Sequence, residues 1–375
     1  MAKAVYVGVN SKARKMKKAY IGIGGKARKV KKMYIGVGGK ARLCYSAELE
    51  KVGMAENLSD ERRTVAASVG NYALFAGGIG HGSFIDRAHD AVDAYSASLT
   101  KSMPTALSTV RYRHAGASVE GYALFAGGAD GQRTVDIVDS VDAYSASLTR
   151  TAAATLSGER VWMGAASLEG RAFFAGGASS NMNSDNKCAN VEVYNSTLTR
   201  TAATNLSVAR YYPLTATIGS RVLFAGGTGN TITKVVDVYS TSLTRTAAAD
   251  LSRPTSGDAS TVVGNYAIFT SDGNTSCDVY NASLTKTTVT LLSVARVNMS
   301  AGTVGDYALF AGGGTNSPYS DVVDACDTSL TRTTVTTLDY PRSGLSSATV
   351  GDYLLFAGGR IDSENYSSDV FVYTA

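Results

Sequence analysis

From about residue 49 to Ala375, apolar and polar positions alternate in short runs, and one run, Tyr72-Ala-Leu-Phe-Ala-Gly-Gly78, keeps returning. Its last four residues recur as Phe125 to Gly128, Phe174 to Gly177, Phe224 to Gly227, Phe310 to Gly313 and Phe356 to Gly359, with a worn copy at Phe269 to Gly273. The seven phenylalanines are 50, 49, 50, 45, 41 and 46 residues apart. A period of that size predicts a propeller or solenoid, and it overrides the two or three domains that 375 residues would otherwise suggest.

Each period holds four strand-like pieces in fixed order. In the second copy they are Ala115 to Val119, Tyr122 to Gly128, Val141 to Tyr144, and Leu148 to about Ala153. A Gly with a polar neighbour separates the first two in every copy, as in Gly70-Asn71, Glu120-Gly121 and Gly351-Asp352, which is a hairpin signal. Four short antiparallel strands make one propeller blade. A Tyr or Cys precedes a Leu by four residues in six copies, from Tyr95 and Leu99 to Cys326 and Leu330, but Tyr373 has no such Leu before the chain stops. The missing pattern stands at the other end, in Tyr45-Ser46-Ala47-Glu48-Leu49 followed by Leu58-Ser59. Residues 49–54 are therefore expected beside Val370 to Tyr373, closing the ring and hiding two sheet edges. The expected fold is all-β: a seven-bladed propeller over residues 44–375, preceded by a short basic β-hairpin-repeat segment over 1–43.

The paired glycines, the Val-Asp-x-Tyr strand, the Leu-Thr-Arg strand and the Arg before the next blade together resemble kelch repeats. The Trp usual in the fourth strand of that family is replaced here by Leu148, Leu198, Leu243 and their equivalents, and the fifth copy has Ser271-Asp272-Gly273 in place of Ala-Gly-Gly. The resemblance implies a ligand-binding face built from the connections between blades. Kelch-type oxidases use two histidine and two tyrosine copper ligands, whereas this chain has three histidines, His81, His89 and His114, two of them in one loop. No metal or other cofactor is expected.

Charge divides the chain. Residues 1–42 carry thirteen of the 36 Lys and Arg and none of the 31 Asp and Glu, so the remainder stands at −8. This leader is its own repeat, with Tyr6, Tyr20 and Tyr34 spaced 14 apart and two-residue turn signals at Asn10-Ser11, Gly24-Gly25 and Gly38-Gly39. Short strands are predicted, with too little core to stand alone, so order is expected to come from a partner or from further copies. A solvated basic tail and direct nucleic-acid binding are weaker readings, the latter lacking any specific motif. The Gly-Gly-Lys-Ala-Arg units resemble repeats that open phage and prophage structural proteins of Gram-positive bacteria. That resemblance implies docking on a virion or phage-tail-like particle through Tyr6, Tyr20, Lys26, Arg28, Tyr34, Lys40 and Arg42.

The recurring glycines are structural, because no Gly-rich loop leads into a helix with Lys-Ser or Lys-Thr. Asp93, Asp142, Glu192, Asp237, Asp278 and Asp324 are expected to pair across strands with Lys101, Arg150, Arg200, Arg245, Lys286 and Arg332. Cys44, Cys277 and Cys326 read as buried thiols, Cys188 less so. The best candidate for recognition lies where each fourth strand passes to the next blade: Arg62 or Arg63, Arg111, Arg160, Arg210, Arg253, Arg296 and Arg342, with aromatic neighbours Tyr112, Trp162, Tyr211 and Tyr212. A ring of guanidinium groups beside aromatic faces suits acidic or sugar-containing ligands. The same repetition also fits a salt bridge repeated in every blade. Loops on this face vary from four residues, Asn274 to Cys277, to thirteen, Ile79 to Ala91 and Ala178 to Asn190, whereas the opposite face has uniform turns.

These observations predict a non-enzymatic adhesin: the leader docks on other particle proteins, and the loop face binds a host-surface glycan or protein. A purely structural virion spacer is the alternative. A metal-independent glycan hydrolase or lyase is a further one, with Asp86, Asp90 and Asp130 as its acids. The absence of an apolar run after the charged start predicts synthesis in the bacterial cytoplasm without a secretion signal, no membrane insertion, and association of copies through the leader.

Overall fold

The computed structural model describes residues 6–9, 12–15, 20–23, 26–29, 32–37, 40–46, 49–80, 87–131, 136–179, 186–314 and 318–375. Seven four-stranded antiparallel sheets form a closed ring, a seven-bladed β-propeller with no helix among the described residues. Blade 2 shows the pattern: an inner strand Ala115–Val119, a second Tyr122–Ala126, a third Val141–Ser145 and an outer Arg150–Ala152. Val119 pairs with Tyr122 across Glu120-Gly121, as the hairpin signal requires. Third strands such as Val236–Tyr239 are buried on both faces, so they are apolar except for one carboxylate, here Asp237, that is buried with them.

Two strand boundaries differ from expectation. Leu148 is not in the outer strand: it sits in the preceding turn at φ 62°, and Leu99, Leu198, Leu243, Leu284 and Leu330 repeat the conformation. A left-handed β-unbranched residue costs roughly 1–2 kcal/mol, which is offset by packing the Leu side chain against the core shared with the preceding blade. In blade 1 the strands are longer, Tyr72–Gly80 and Arg87–Ser96, so most of the described part of the Ile79-to-Ala91 loop is strand.

Seven apolar clusters occupy the seven interfaces between blades. Between blades 1 and 2, Leu74, Ala76, Val92 and Ala94 receive Phe125 and Tyr144. Those two rings meet edge to face at 6.0 Å, a contact repeated by Phe75 with Tyr95 and by Phe356 with Tyr373. The recurring Phe is thus a plug into the blade before it. Cys326 takes the Tyr position in blade 6 and is fully buried like Cys277, burial pushing both thiols up to about 12. Cys188 is half-buried, and the Cys44 side chain lies outside the described residues.

The recurring glycines let neighbouring backbones touch. A Cβ at Gly127 would lie 2.4 Å from the Arg160 carbonyl oxygen, and Gly128 donates its N–H to that oxygen at 2.9 Å. The same link closes the ring, from the Gly359 N–H to the Arg62 carbonyl at 3.1 Å.

Closure follows the expected path. Glu50–Met54 pairs with Val370–Thr374, Glu50 opposite Thr374 and Met54 opposite Phe371, while Phe75 and Tyr95 of blade 1 plug the core of blade 7. Because Tyr353 also pairs with Thr374, the closing strand begins at the face of tight turns and runs toward the loop face. The leader forms three hairpins, Tyr6–Val9 with Lys12–Lys15, Tyr20–Ile23 with Lys26–Lys29, and Lys32–Val37 with Lys40–Ser46. The expected docking residues Tyr6, Tyr20, Lys26, Arg28, Tyr34, Lys40 and Arg42 lie on these strands; their side chains, and residues 47–48, fall outside the described set.

Candidate site at the channel mouth

The recurring arginines are not a ligand-facing ring. Arg62, Arg111, Arg160, Arg210, Arg296 and Arg342 are all buried, and each ion-pairs with a carboxylate of its own blade. Arg210 reaches Asp237 at 2.9 Å and also donates to the Phe224 carbonyl at 3.0 Å. The outer-strand cation takes the other carboxylate oxygen, as Arg245 does on Asp237 at 3.0 Å and Arg150 on Asp142 at 3.0 Å. In blades 1, 2, 3, 4 and 6 two expected pairings are therefore one three-membered network that pins the connection to its blade. Burial lowers the guanidinium pKa of Arg111, Arg160 and Arg210, and the paired carboxylate opposes that. These arginines, read from sequence as ligand contacts, are corrected to structural pins, since each guanidinium is buried and spends its charge on a carboxylate of its own blade.

Arg253 is corrected differently. Aligning the Leu-Ser-x-x-Arg connections puts Thr255, not Arg253, at the pinned position of blade 5; Arg253 is exposed and Thr255 fully buried. Asp278 is held instead by the Ser252 N–H and hydroxyl, both at 2.7 Å, and by the Thr288 hydroxyl at 2.9 Å.

In blades 2 to 7 the surface that does face the channel starts two residues after the pinned position. There the chain passes through positive φ, 58° at Arg113, 61° at Trp162, 52° at Tyr212, 68° at Gly257, 56° at Asn298 and 67° at Gly344. Backbone bonds string these residues into two arcs of a girdle: Trp162 N–H to Arg113 carbonyl, 3.0 Å; Tyr212 to Trp162, 2.9 Å; Gly257 to Tyr212, 3.2 Å; and, separately, Gly344 to Asn298, 3.0 Å. Glycine suits this conformation, so a bulky side chain held there carries stored strain. The bulky ones stand together on blades 2 to 4, and the small ones face them.

A cavity of about 370 Å³ opens at this mouth, lined by three guanidinium groups, Arg63, Arg113 and Arg360, and by Tyr112, Trp162, Tyr212 and Tyr366. The Arg113 guanidinium lies 4.7 Å from the ring centres of both Tyr112 and Trp162. Trp162 in turn stacks at 5.1 Å on Tyr211 and 5.4 Å on Tyr212. Burial raises the Tyr212 phenol pKa while Arg113 and Arg63 pull it back. No carboxylate among the described residues lines the cavity. Guanidinium groups can hold an anion by bidentate hydrogen bonds, and aromatic faces can hold a flat ring by stacking.

No family model matches the chain, and no curated protein matches it. Among solved structures, one titled "Structure of YjhT" is similar with a TM-score of 0.55 and 13% identity, covering 86% of this chain and 97% of that one. The likeness is one of fold. With 647 solved chains matching, the architecture is common and assigns no activity by itself. Function in this propeller has to be read from the mouth.

Of the aromatic residues expected near a site, Tyr112, Trp162, Tyr211 and Tyr212 do assemble there, whereas Arg113 and Arg360 escaped the sequence reading. The signal for Arg113 was available, since it stands two residues beyond the repeated Arg, where the other connections carry Thr, Trp, Tyr, Gly or Asn. The suspected acids do not converge: Asp130 caps its own loop by accepting the Asp136 N–H at 3.0 Å, neither it nor Asp90 lines the mouth, and Asp86 lies outside the described residues. His81 likewise lies outside them, and among the described residues no group of three or more His, Cys, Asp or Glu is placed to hold a metal. His89 is buried with its Nδ1 3.4 Å from Asp60, and burial lowers its pKa.

One step inward from the girdle, most blades place an apolar residue, Met163, Pro213, Met299 or Leu345, but blades 2 and 5 place His114 and Asp258. Burial pushes the imidazole of His114 down to about 3 and the carboxyl of Asp258 up to about 7. An Asp whose folded pKa is raised supports the fold while protonated, and that support is lost as pH rises from the usual carboxylate range through about 7. Asp258→Asn is therefore expected to match the wild type at pH 4 and to exceed it at pH 8 by on the order of 2 kcal/mol in urea unfolding. Equal stability of the two proteins at pH 8 would contradict this account.

Proposed function

We propose that the protein is a non-enzymatic adhesin whose propeller binds an acidic glycan of a host surface at the channel mouth, while its basic leader docks on a phage or phage-tail-like particle. The observation that carries the first half is the convergence of Arg63, Arg113 and Arg360 with aromatic faces around one cavity that no described carboxylate lines. Stored strain supports it, because Arg113, Trp162 and Tyr212 occupy a backbone conformation that Gly257 and Gly344 adopt at no cost. The kelch-like repeats, a resemblance that implies a binding face at the blade-to-blade connections, support the same half, and the second half rests on the resemblance of the Gly-Gly-Lys-Ala-Arg units to phage structural proteins. The closing strand starts on the face of tight turns, opposite the mouth, which supports an anchor that leaves the propeller away from the recognition surface.

Glycine substitutions separate binding from folding. Arg113→Gly relieves the left-handed backbone, so its melting temperature should stay within a few degrees of the wild type, strain relief of roughly 1 kcal/mol offsetting the lost contacts, whereas Trp162→Gly also loses its packing on Tyr211 and Tyr212 and should melt lower while remaining folded. Binding to acidic polysaccharides on a glycan array, and to host cells, should fall by about tenfold or more, the worth of one charge-assisted contact. Retained binding in both variants would remove the mouth as the site.

A further inference from the structure

Resting on the reading of the mouth as an acidic-glycan site, we infer that the bound ligand is a chain of sugars, with an acidic unit in the mouth and a neutral unit in a second cavity beside it. That second cavity measures about 570 Å³ and lies where the connections of blades 6, 7 and 1 meet the loop face. Tyr366 is a wall of both cavities. The partition is thin: a turn in which Arg360 and Tyr366 each bridge to a neighbour, Ile361 donates to the Asn365 carbonyl at 3.0 Å, and the Arg360 guanidinium lies 5.0 Å from the Tyr366 ring. A ligand seated on Arg360 is therefore one residue away from the outer cavity.

The two cavities differ in chemistry. The mouth offers three guanidinium groups. In the outer cavity the one guanidinium among the described lining residues, Arg342, is taken up by Asp369 at 2.9 Å, Asp362 accepts the Glu364 and Asn365 N–H groups of its own turn, and Glu61 and the Ser367 and Ser368 hydroxyls line the rest, a set that favours hydroxyl groups over a second acid. Its apolar wall is unusually open. Tyr340 is 64% exposed and stands next to Pro341, with Tyr319 and Ile361 completing the surface. A flat, solvent-facing aromatic beside carboxylates suits the apolar face and the hydroxyl rim of an uncharged pyranose. Both volumes fall in the range of small-ligand pockets. An acidic unit inside and a neutral unit outside describe a heteropolysaccharide segment rather than a single sugar acid.

The test uses the full chain and size-fractionated fragments of the acidic bacterial polysaccharide it binds most strongly on an array. Fragments of three or more units should bind about tenfold more tightly than the single acidic sugar, the scale of one aromatic contact. Tyr340→Ala should return long fragments to the affinity of the single acid and leave the latter unchanged; at 64% exposure the side chain is not needed for folding. Affinity that is independent of length, or long-fragment binding indifferent to Tyr340→Ala while Arg113→Gly abolishes it, would overturn the extended site alone. Binding indifferent to Arg113→Gly, or no acidic polysaccharide bound at all, would overturn the reading of the mouth beneath it.

Discussion

Asp142→Ala is expected to destabilise the propeller by about 3–5 kcal/mol, because it strands the Arg111 guanidinium, 0% exposed, without its counter-ion. The blade-5 equivalent should cost far less. At Asp278 the pinned position holds Thr255, so Asp278→Ala removes hydrogen bonds from Ser252 and Thr288 but leaves no buried cation, a loss of roughly 1–2 kcal/mol. Lys286, 3.7 Å from Asp278, is partly exposed and returns to water. Urea unfolding of the two variants side by side measures the difference. Equal losses would mean that the arginine pins contribute nothing beyond ordinary hydrogen bonding, and a double variant Arg111→Met with Asp142→Leu should recover much of the stability lost by the single one, since apolar pairs of similar volume replace buried ion pairs well.

Removal of residues 1–54 should give an aggregating protein, whereas removal of residues 1–43 should leave a folded, monomeric propeller. The longer truncation deletes the outer strand Glu50–Met54 and bares the edge of Val370–Thr374, a strand buried at every position. It also removes Lys51, which pairs with Asp339 at 2.6 Å and lies over the Phe371 ring at 5.0 Å, and Leu49, which packs on the core between blades 6 and 7. The expected cost is on the order of several kcal/mol, with an open edge that recruits other chains. Size-exclusion chromatography with light scattering reads the outcome. A monomeric protein without residues 1–54 that melts together with the shorter truncation would show that closure is dispensable.

Much of the architecture was legible because a propeller repeats its instructions. The Phe-Ala-Gly-Gly period sets the number of blades, the Gly-polar turns set the hairpin register, and the lone Tyr373 without its Leu points to a strand supplied from elsewhere. Periodicity was weaker at telling which residue of a motif does what. Arg111 and Arg113 are two positions apart, both cationic and both in a connection. One is a buried pin and the other a wall of the cavity, and only the direction of the backbone between them decides it. Leu148 misled for the same reason, since an apolar residue next to a strand looks like part of it unless its positive φ is known.

The sequence by itself determined the all-β class, the seven modules, the source of the closing strand and the separation of a basic leader from an acidic body, because each is a property of spacing or composition. Tertiary structure alone decided where the chemistry is. Arg63, Arg113 and Arg360 stand up to about 300 residues apart in the chain, in blades 1, 2 and 7, and meet only because the ring closes. Ring closure is a long-range event driven by burying Phe75 and Tyr95 in the core of the last blade, and no local pattern reports which side chains it will bring face to face.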